Sequence, residues 1–139
     1  MNTVKEIVLS IADAPGALWD IISLLYENGI NVAALSIQGL GKKSAIHIIT
    51  DDPSRASNAL KTAGHDGETR DVVMCEVPSH PGGLNAVLKP LSEAEINIDY
   101  LYSAFSKGDG SALILAVNNP EKAFNVLESA WIRVLDLSS

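Results

Sequence analysis

The sequence is short of several things, and each shortage excludes a class of protein. It has a single cysteine, Cys75, so no internal disulfide can form, and no Cys/His spacing resembles a zinc site. Ten Lys and Arg against seventeen Asp and Glu leave a net charge of −7, a sign that repels phosphate backbones and anionic lipid surfaces. Neither nucleic acid nor a membrane is therefore an expected partner. No apolar run approaches the ~20 residues of a membrane-spanning helix. The amino end does not read as a signal peptide: Lys5 and Glu6 precede a short apolar run that Asp13 and Pro15 follow at once. Charged residues are only 19% of the chain, whereas hydrophobic residues are 47%, enough for a packed core and too many for wholesale disorder. At 139 residues there is room for one ordinary domain or two small ones. A cytoplasmic protein without cofactor or metal is expected.

What the sequence does contain is an internal repeat. Shifted by 66, Pro15-Gly16 falls on Pro81-Gly82, Leu18 on Leu84, Leu25 on Leu91, Ile30-Asn31 on Ile96-Asn97 and Leu35 on Leu101. After one inserted residue the shift becomes 67, and Pro53, Ala56, Asn58, Leu60 and Ala63 meet Pro120, Ala123, Asn125, Leu127 and Ala130. Two modules follow, residues 1–69 and 70–139.

Each half repeats one series of periodicities. Ile7, Leu9 and Ile11 alternate as a strand does, and Leu18, Ile21, Ile22 and Leu25 follow at helical spacing until Asn28-Gly29. Val32 to Ile37 and Ala45 to Thr50 read as strands around a glycine turn, and Asp51-Asp52-Pro53 opens a second helix. A short fourth strand is expected near Asp66 to Thr69, and Gly64 to Val72 reads as the link between halves. The second half offers Val73, Cys75 and Val77, a helix from Leu84, strands over Asn97 to Phe105 and Ala112 to Val117, a helix over Pro120 to Ser129, and a last strand from Trp131 to Leu137. Pro90 is expected to kink or shorten its helix. The order is strand, helix, strand, strand, helix, strand: a split βαβ arrangement of the α+β class, antiparallel, with helices on one sheet face.

Two motifs carry a likeness to a known family. They are Asp13-Ala14-Pro15-Gly16-Ala17-Leu18 with Gly29-Ile30-Asn31-Val32, and Ser79-His80-Pro81-Gly82-Gly83-Leu84 with Glu95-Ile96-Asn97-Ile98. Each Pro-Gly glycine stands 15 residues before its Asn. A duplicated unit of this kind resembles the ACT domain, a ferredoxin-like regulatory module that binds amino acids. The likeness covers the whole chain, one module per half, with no catalytic domain left over. It implies a stand-alone tandem protein, packed as a pair, whose ligand sits where the helix-start loop of one module faces the second strand of a neighbour.

The chemistry of the loops agrees with that implication. A helix start offers unpaired amides and a positive dipole end to a carboxylate. Gly16 and Gly82 remove a β-carbon where a ligand approaches the backbone, and Gly83 widens the second opening. The ligand's ammonium is expected to meet either Asp13 or a strand-end carbonyl, and His80 is expected to be an exposed loop contact or else a solvated loop histidine. The candidate binding set is Asp13, Ala14, Gly16, Ala17 and Leu18, with His80, Gly82, Gly83 and Leu84, and the strand starts Asn31, Val32, Asn97 and Ile98. Structural readings compete: Asp13 as a helix cap, Pro15 and Pro81 as turn formers, Asn31 and Asn97 as turn residues, His47 as an ordinary sheet-face residue.

The halves are not equivalent, since Ala33-Ala34 becomes Asp99-Tyr100. Ile98, Tyr100 and Tyr102 are expected on one strand face, opposite Leu101 and away from the helices. An exposed apolar face of that kind marks an interface, so a homodimer covering it is expected. An enzyme is disfavoured: Cys75 occupies a core position, and no Ser/His/Asp set or carboxylate pair recurs. The reading is a non-catalytic regulatory sensor of a free amino acid, acting on a regulated enzyme through allosteric population shift. Its rival is a dimerising or partner-binding module without a small-molecule ligand.

Overall fold

In the computed structural model, which describes residues 3–105 and 111–137, the chain divides into two compact units. One is Lys5–Arg70; the other comprises Thr3, Val4 and the described residues from Asp71 onward. In the first unit the alternating Ile7, Leu9 and Ile11 form strand β1 (Val4–Ala12). Helix α1 (Ala17–Glu27), strands β2 (Val32–Gly39) and β3 (Lys43–Thr50), and helix α2 (Pro53–Thr62) follow. β3 runs antiparallel to both β1 and β2, so Ile48 stands opposite Ile7 and Leu35, and Ile46 opposite Leu9 and Ile37. This sheet face closes with Ile21 and Leu25 of α1 and Ala56 and Leu60 of α2 into one buried cluster. Each large aliphatic removed from water there contributes about 1.5–3 kcal/mol.

The second unit repeats the plan with β4 (Glu68–Val77), α3 (Gly83–Glu93), β5 (Ile98–Ala104), β6 (Ser111–Val117), α4 (Pro120–Ser129) and β7 (Val134–Leu135). β6 is antiparallel to β4 and β5, and β7 to β4. Val73, Cys75, Leu113 and Leu115 bury against Val87 and Leu91 of α3 and Ala123 and Leu127 of α4. The α+β content, the antiparallel pairing and the helices on one sheet face of each unit match the expectation.

The second helix of each unit is built alike. Asp52 and Asn119 accept the amides of Arg55 and Lys122 at 3.2 and 3.1 Å, and a proline fills the first turn. The same basic residues also reach the end of the preceding helix. Lys122 Nζ donates to the Ala94 carbonyl at 2.8 Å, and the Arg55 guanidinium donates to the Asn28 carbonyl. Cations at a helix C-terminus meet the negative end of its dipole.

Several expectations are corrected. The fourth strand of the first half and the first strand of the second are one element, β4, and the division between the two compact units, after Arg70, falls inside it. The connecting turn is confined to 64–67, and polar residues from Glu68 to Asp71 disguise the strand that follows. α3 continues past Pro90 to Glu93 rather than ending early. The bond Pro90 cannot make belongs to the carbonyl of exposed Ala86, which water can satisfy. The last strand is only Val134–Leu135, because the turn that closes α4 runs through Trp131, held at φ 64°.

Ile98 does not share a face with the tyrosines. A register shift between Ile98 and Tyr100 turns Ile98 toward Val117 and the helical core, leaving Tyr100 opposite Ala116 and Tyr102 opposite Ile114. The same irregularity lies between Val32 and Ala34 in the first unit. The tyrosine face is not the open apolar surface expected: Ile114 and Ala116 are 0% exposed within the single chain, and the tyrosine rings are half-buried and stacked 6.4 Å apart.

Candidate functional site

The first helix of each unit starts differently from the second. α1 and α3 begin at Gly16 (φ 86°) and Gly82 (φ 88°), and no side chain caps either start. These glycines are required by backbone conformation, since side-chain-bearing residues seldom hold positive φ. A β-carbon on either would meet nothing within 4 Å, so the space above both corners is open. Ala17 N donates to Ala14 O at 3.3 Å and Asp20 N to Gly16 O at 3.0 Å; between them the amides of Leu18 and Trp19 have no partner among the described residues. In the second unit Gly83 N bonds His80 O at 2.9 Å and Ala86 N bonds Gly82 O at 3.0 Å, leaving the amides of Leu84 and Asn85 in the same condition.

Asp13 does not cap α1. Its amide donates to Lys42 O at 3.0 Å, and its exposed carboxylate lies against Gly39, with Oδ2 3.3 Å from where a β-carbon of that glycine would stand. Gly39 and Lys42, which sequence reading assigned only to a turn, thus form one wall of the first corner. The paired glycines around that turn were the available signal. Gly83 does not widen the second corner: a β-carbon there would stand 1.9 Å from Pro78 O, so this glycine admits the protein's own backbone. Ala14 is exposed, Ala17 and Leu18 are half-buried with both packing on the first core, and Leu84 is 43% exposed. His80 is exposed, with Nδ1 2.8 Å from Pro81 O.

The backbones of Asn31 and Asn97 tie the start of the second strand of each unit to the loop before its second helix. Asn31 N donates to Asp51 Oδ1 at 3.0 Å and Asp51 N returns a bond to Asn31 O at 3.1 Å. Asn97 N and Asn118 repeat the exchange at 3.1 and 3.2 Å, and Asn97 Nδ2 donates to Asp99 Oδ1 at 2.8 Å. Val32 and Ile98 pack on the cores. These strand starts are not beside the helix-start corner of their own unit. Ala12 and Gly39 pair at Lys43 and Ser44, whereas Val32 pairs at Thr50, six residues and about 20 Å along β3. In the second unit Val77 pairs with Ser111 and Ile98 with Val117, the same separation along β6.

Two further titratable side chains, Cys75 and His47, sit on strands. Cys75 is buried, and desolvation, with a smaller effect of the Glu76 charge, pushes its thiol up to about 12. His47 is on the sheet, its Nδ1 3.4 Å from Oε1 of buried Glu6. Among the described residues no group of three or more His, Cys, Asp and Glu is placed to hold a metal, and no helix is long and apolar enough to cross a membrane.

Comparison with known proteins agrees with this architecture. A protein of Bacteroides thetaiotaomicron solved by crystallography superposes with a TM-score of 0.91 at 28% identity, over 98% of this chain and 94% of that one. The ligand-free regulatory subunit of aspartate kinase from Thermus thermophilus superposes at 0.70 with 17% identity, over 94% of each chain. The corresponding subunit from Thermus flavus superposes at 0.62 with 18% identity, again over 94% of each chain. No curated protein matches the sequence. The sequence matches the ACT domain pair over residues 2–136, and the chain therefore belongs to that family.

Proposed function

We propose that this protein is a non-catalytic regulatory module that binds a free amino acid at its helix-start corners and passes the bound state to a partner enzyme. The contrast between the helix starts carries the reading: α2 and α4 are closed by Asp52 and Asn119, while α1 and α3 keep left-handed glycines and unpartnered amides. Such amides, at the positive end of a helix dipole, are suited to a carboxylate. The exposed Asp13 carboxylate, held against Gly39, is suited to an ammonium group, which favours the first corner over the second. Because Val32 and Ile98 lie at the far ends of their own units, a second-strand wall for either corner has to come from a different module. The aspartate kinase regulatory subunits among the structural neighbours support a role in regulating an enzyme. In this reading the ligand acts by stabilising one of two populations that the partner distinguishes.

Thermal unfolding in the presence of each of the twenty amino acids tests the proposal. A binding amino acid raises the midpoint as RT ln(1 + [L]/Kd) predicts, and Asp13→Ala diminishes that response. No response to any of the twenty would remove the small-molecule reading.

A further inference from the structure

Strand alternation places Ser44 on the helix-facing side of β3, in one row with the core residues Ile46 and Ile48. It stands opposite Ile11 of β1 and Gly39 of β2. Gly39 belongs to the same face, because Leu35 and Ile37 of its strand stand opposite Ile48 and Ile46. A β-carbon on Gly39 would lie 3.3 Å from Asp13 Oδ2. Cross-strand partners hold their β-carbons about 4.5–5.5 Å apart. Ser44 therefore lies beside the Asp13 carboxylate, at the end of the sheet where Ala12 pairs with Lys43 and the chain turns into α1.

Ser44 is 4% exposed, yet its hydroxyl makes no hydrogen bond among the described residues. Thr50 Oγ1, at the other end of the same row, is unpaired and sealed from solvent; Ser44 Oγ is not sealed. A nearly buried polar group without a partner is uncommon and calls for an explanation. The second unit lacks the arrangement. The counterpart of Asp13 is Ser79, that of Gly39 is Phe105, and that of Ser44 is Ser111, which is exposed.

We propose that Ser44 is a binding residue of the first corner and that, with Asp13, it receives the ammonium of a primary α-amino acid. The proposal rests on the amino-acid reading of that corner. An ammonium carries three donors and no acceptor. The Asp13 carboxylate takes one of them with charge assistance. The hydroxyl beside it accepts a second, in a place where an unmade hydrogen bond is costly. The ligand's carboxylate is left to the unpartnered amides of Leu18 and Trp19. Two acceptors on one nitrogen favour a primary amine over its N-methyl derivative, which has fewer donors and more bulk. This selectivity belongs to the first corner, since the second has no carboxylate at the position of Asp13.

The test uses the full chain with its Ser44→Ala and Ser111→Ala variants. The probes are the twenty amino acids, each in turn, and the N-methyl derivative of any that raises the melting temperature. In the parent, N-methylation is expected to weaken binding about tenfold or more by titration calorimetry. Ser44→Ala is expected to weaken the unmodified amino acid by a similar factor and to shrink the penalty for N-methylation, which a merely structural serine would not do. Without ligand its melting temperature should be no lower than the parent's, because the oxygen removed bonds nothing among the described residues. Ser111→Ala is expected to leave affinity unchanged. Unchanged affinity of Ser44→Ala, a penalty for N-methylation that Ser44→Ala leaves intact, or an equal loss in Ser111→Ala overturns the assignment of Ser44 alone. No response to any of the twenty overturns it together with the reading of the corner.

Discussion

The carboxylate of Asp13 rests against the bare α-carbon of Gly39, 3.3 Å from where a β-carbon would stand. A methyl group added at Gly39 therefore moves an exposed, flexible side chain by a few tenths of an ångström and disturbs little else. Gly39→Ala is expected to change stability by less than about 1 kcal/mol while weakening the amino-acid-induced rise in melting temperature. Asp13→Ala, which removes no cap, should alter unfolding in urea by no more than about 0.5 kcal/mol.

The capped helices should behave oppositely. Asp52→Ala and Asn119→Ala each remove an oxygen that accepts a first-turn amide. Each is expected to cost about 1 kcal/mol in urea unfolding, with ligand response retained. Equal effects of Asp13→Ala and Asp52→Ala would contradict the distinction drawn between open and closed helix starts.

The three corner glycines should separate by mechanism. Gly16→Ala and Gly82→Ala meet no neighbour but force alanine to positive φ, a cost of about 1–2 kcal/mol. Gly83→Ala places a methyl 1.9 Å from Pro78 O, so its loss is expected to reach about 3 kcal/mol. Chemical denaturation of the three variants gives the order directly.

At Trp131 the native residue is the strained one. Trp131→Gly relieves the positive φ and frees the unfolded chain, and the net is an expected gain of about 0.5–1 kcal/mol. A native tryptophan replaced by glycine with an increase in stability would be direct evidence that the indole is kept for something other than folding.

Cys75 predicts an alkaline limit. Folding moves its thiol from 9.0 to about 12, so the folded state keeps a proton that the unfolded chain releases. That contribution is fully present below about pH 9 and is lost as pH rises toward 12, so the midpoint of urea unfolding should fall across this window. Cys75→Ala is expected to flatten that fall. Below pH 9 the thiol should react with alkylating reagents only as fast as the chain unfolds.

The repeat made much of this legible in advance, because Leu25 and Leu91, or Leu60 and Leu127, bury at equivalent depths in both units. Local pattern also located both glycine corners. It missed what depends on contacts remote in sequence or on a single displaced residue. Gly83 is set by the Pro78 carbonyl, a steric fact with no trace in periodicity. Ile98 faces the core because one irregular step in β5 reverses the alternation there, and strict alternation placed it wrongly. The partner of the Asn31 amide, Asp51, stands twenty positions away and left no local trace. Trp131 read as the start of a strand because tryptophan favours strands, whereas the helix before it claims its amide.

Strand β4 has a practical consequence for dissecting the molecule. The residues that finish one copy of the repeat and those that begin the next are consecutive in a single strand, Glu68–Val77. A gene fragment ending at residue 69 would keep two residues of this ten-residue strand, and its counterpart would begin with the other eight. Ancestral doubling has here left a shared element: the copies remain recognisable in their helices, while one unbroken strand runs through the join.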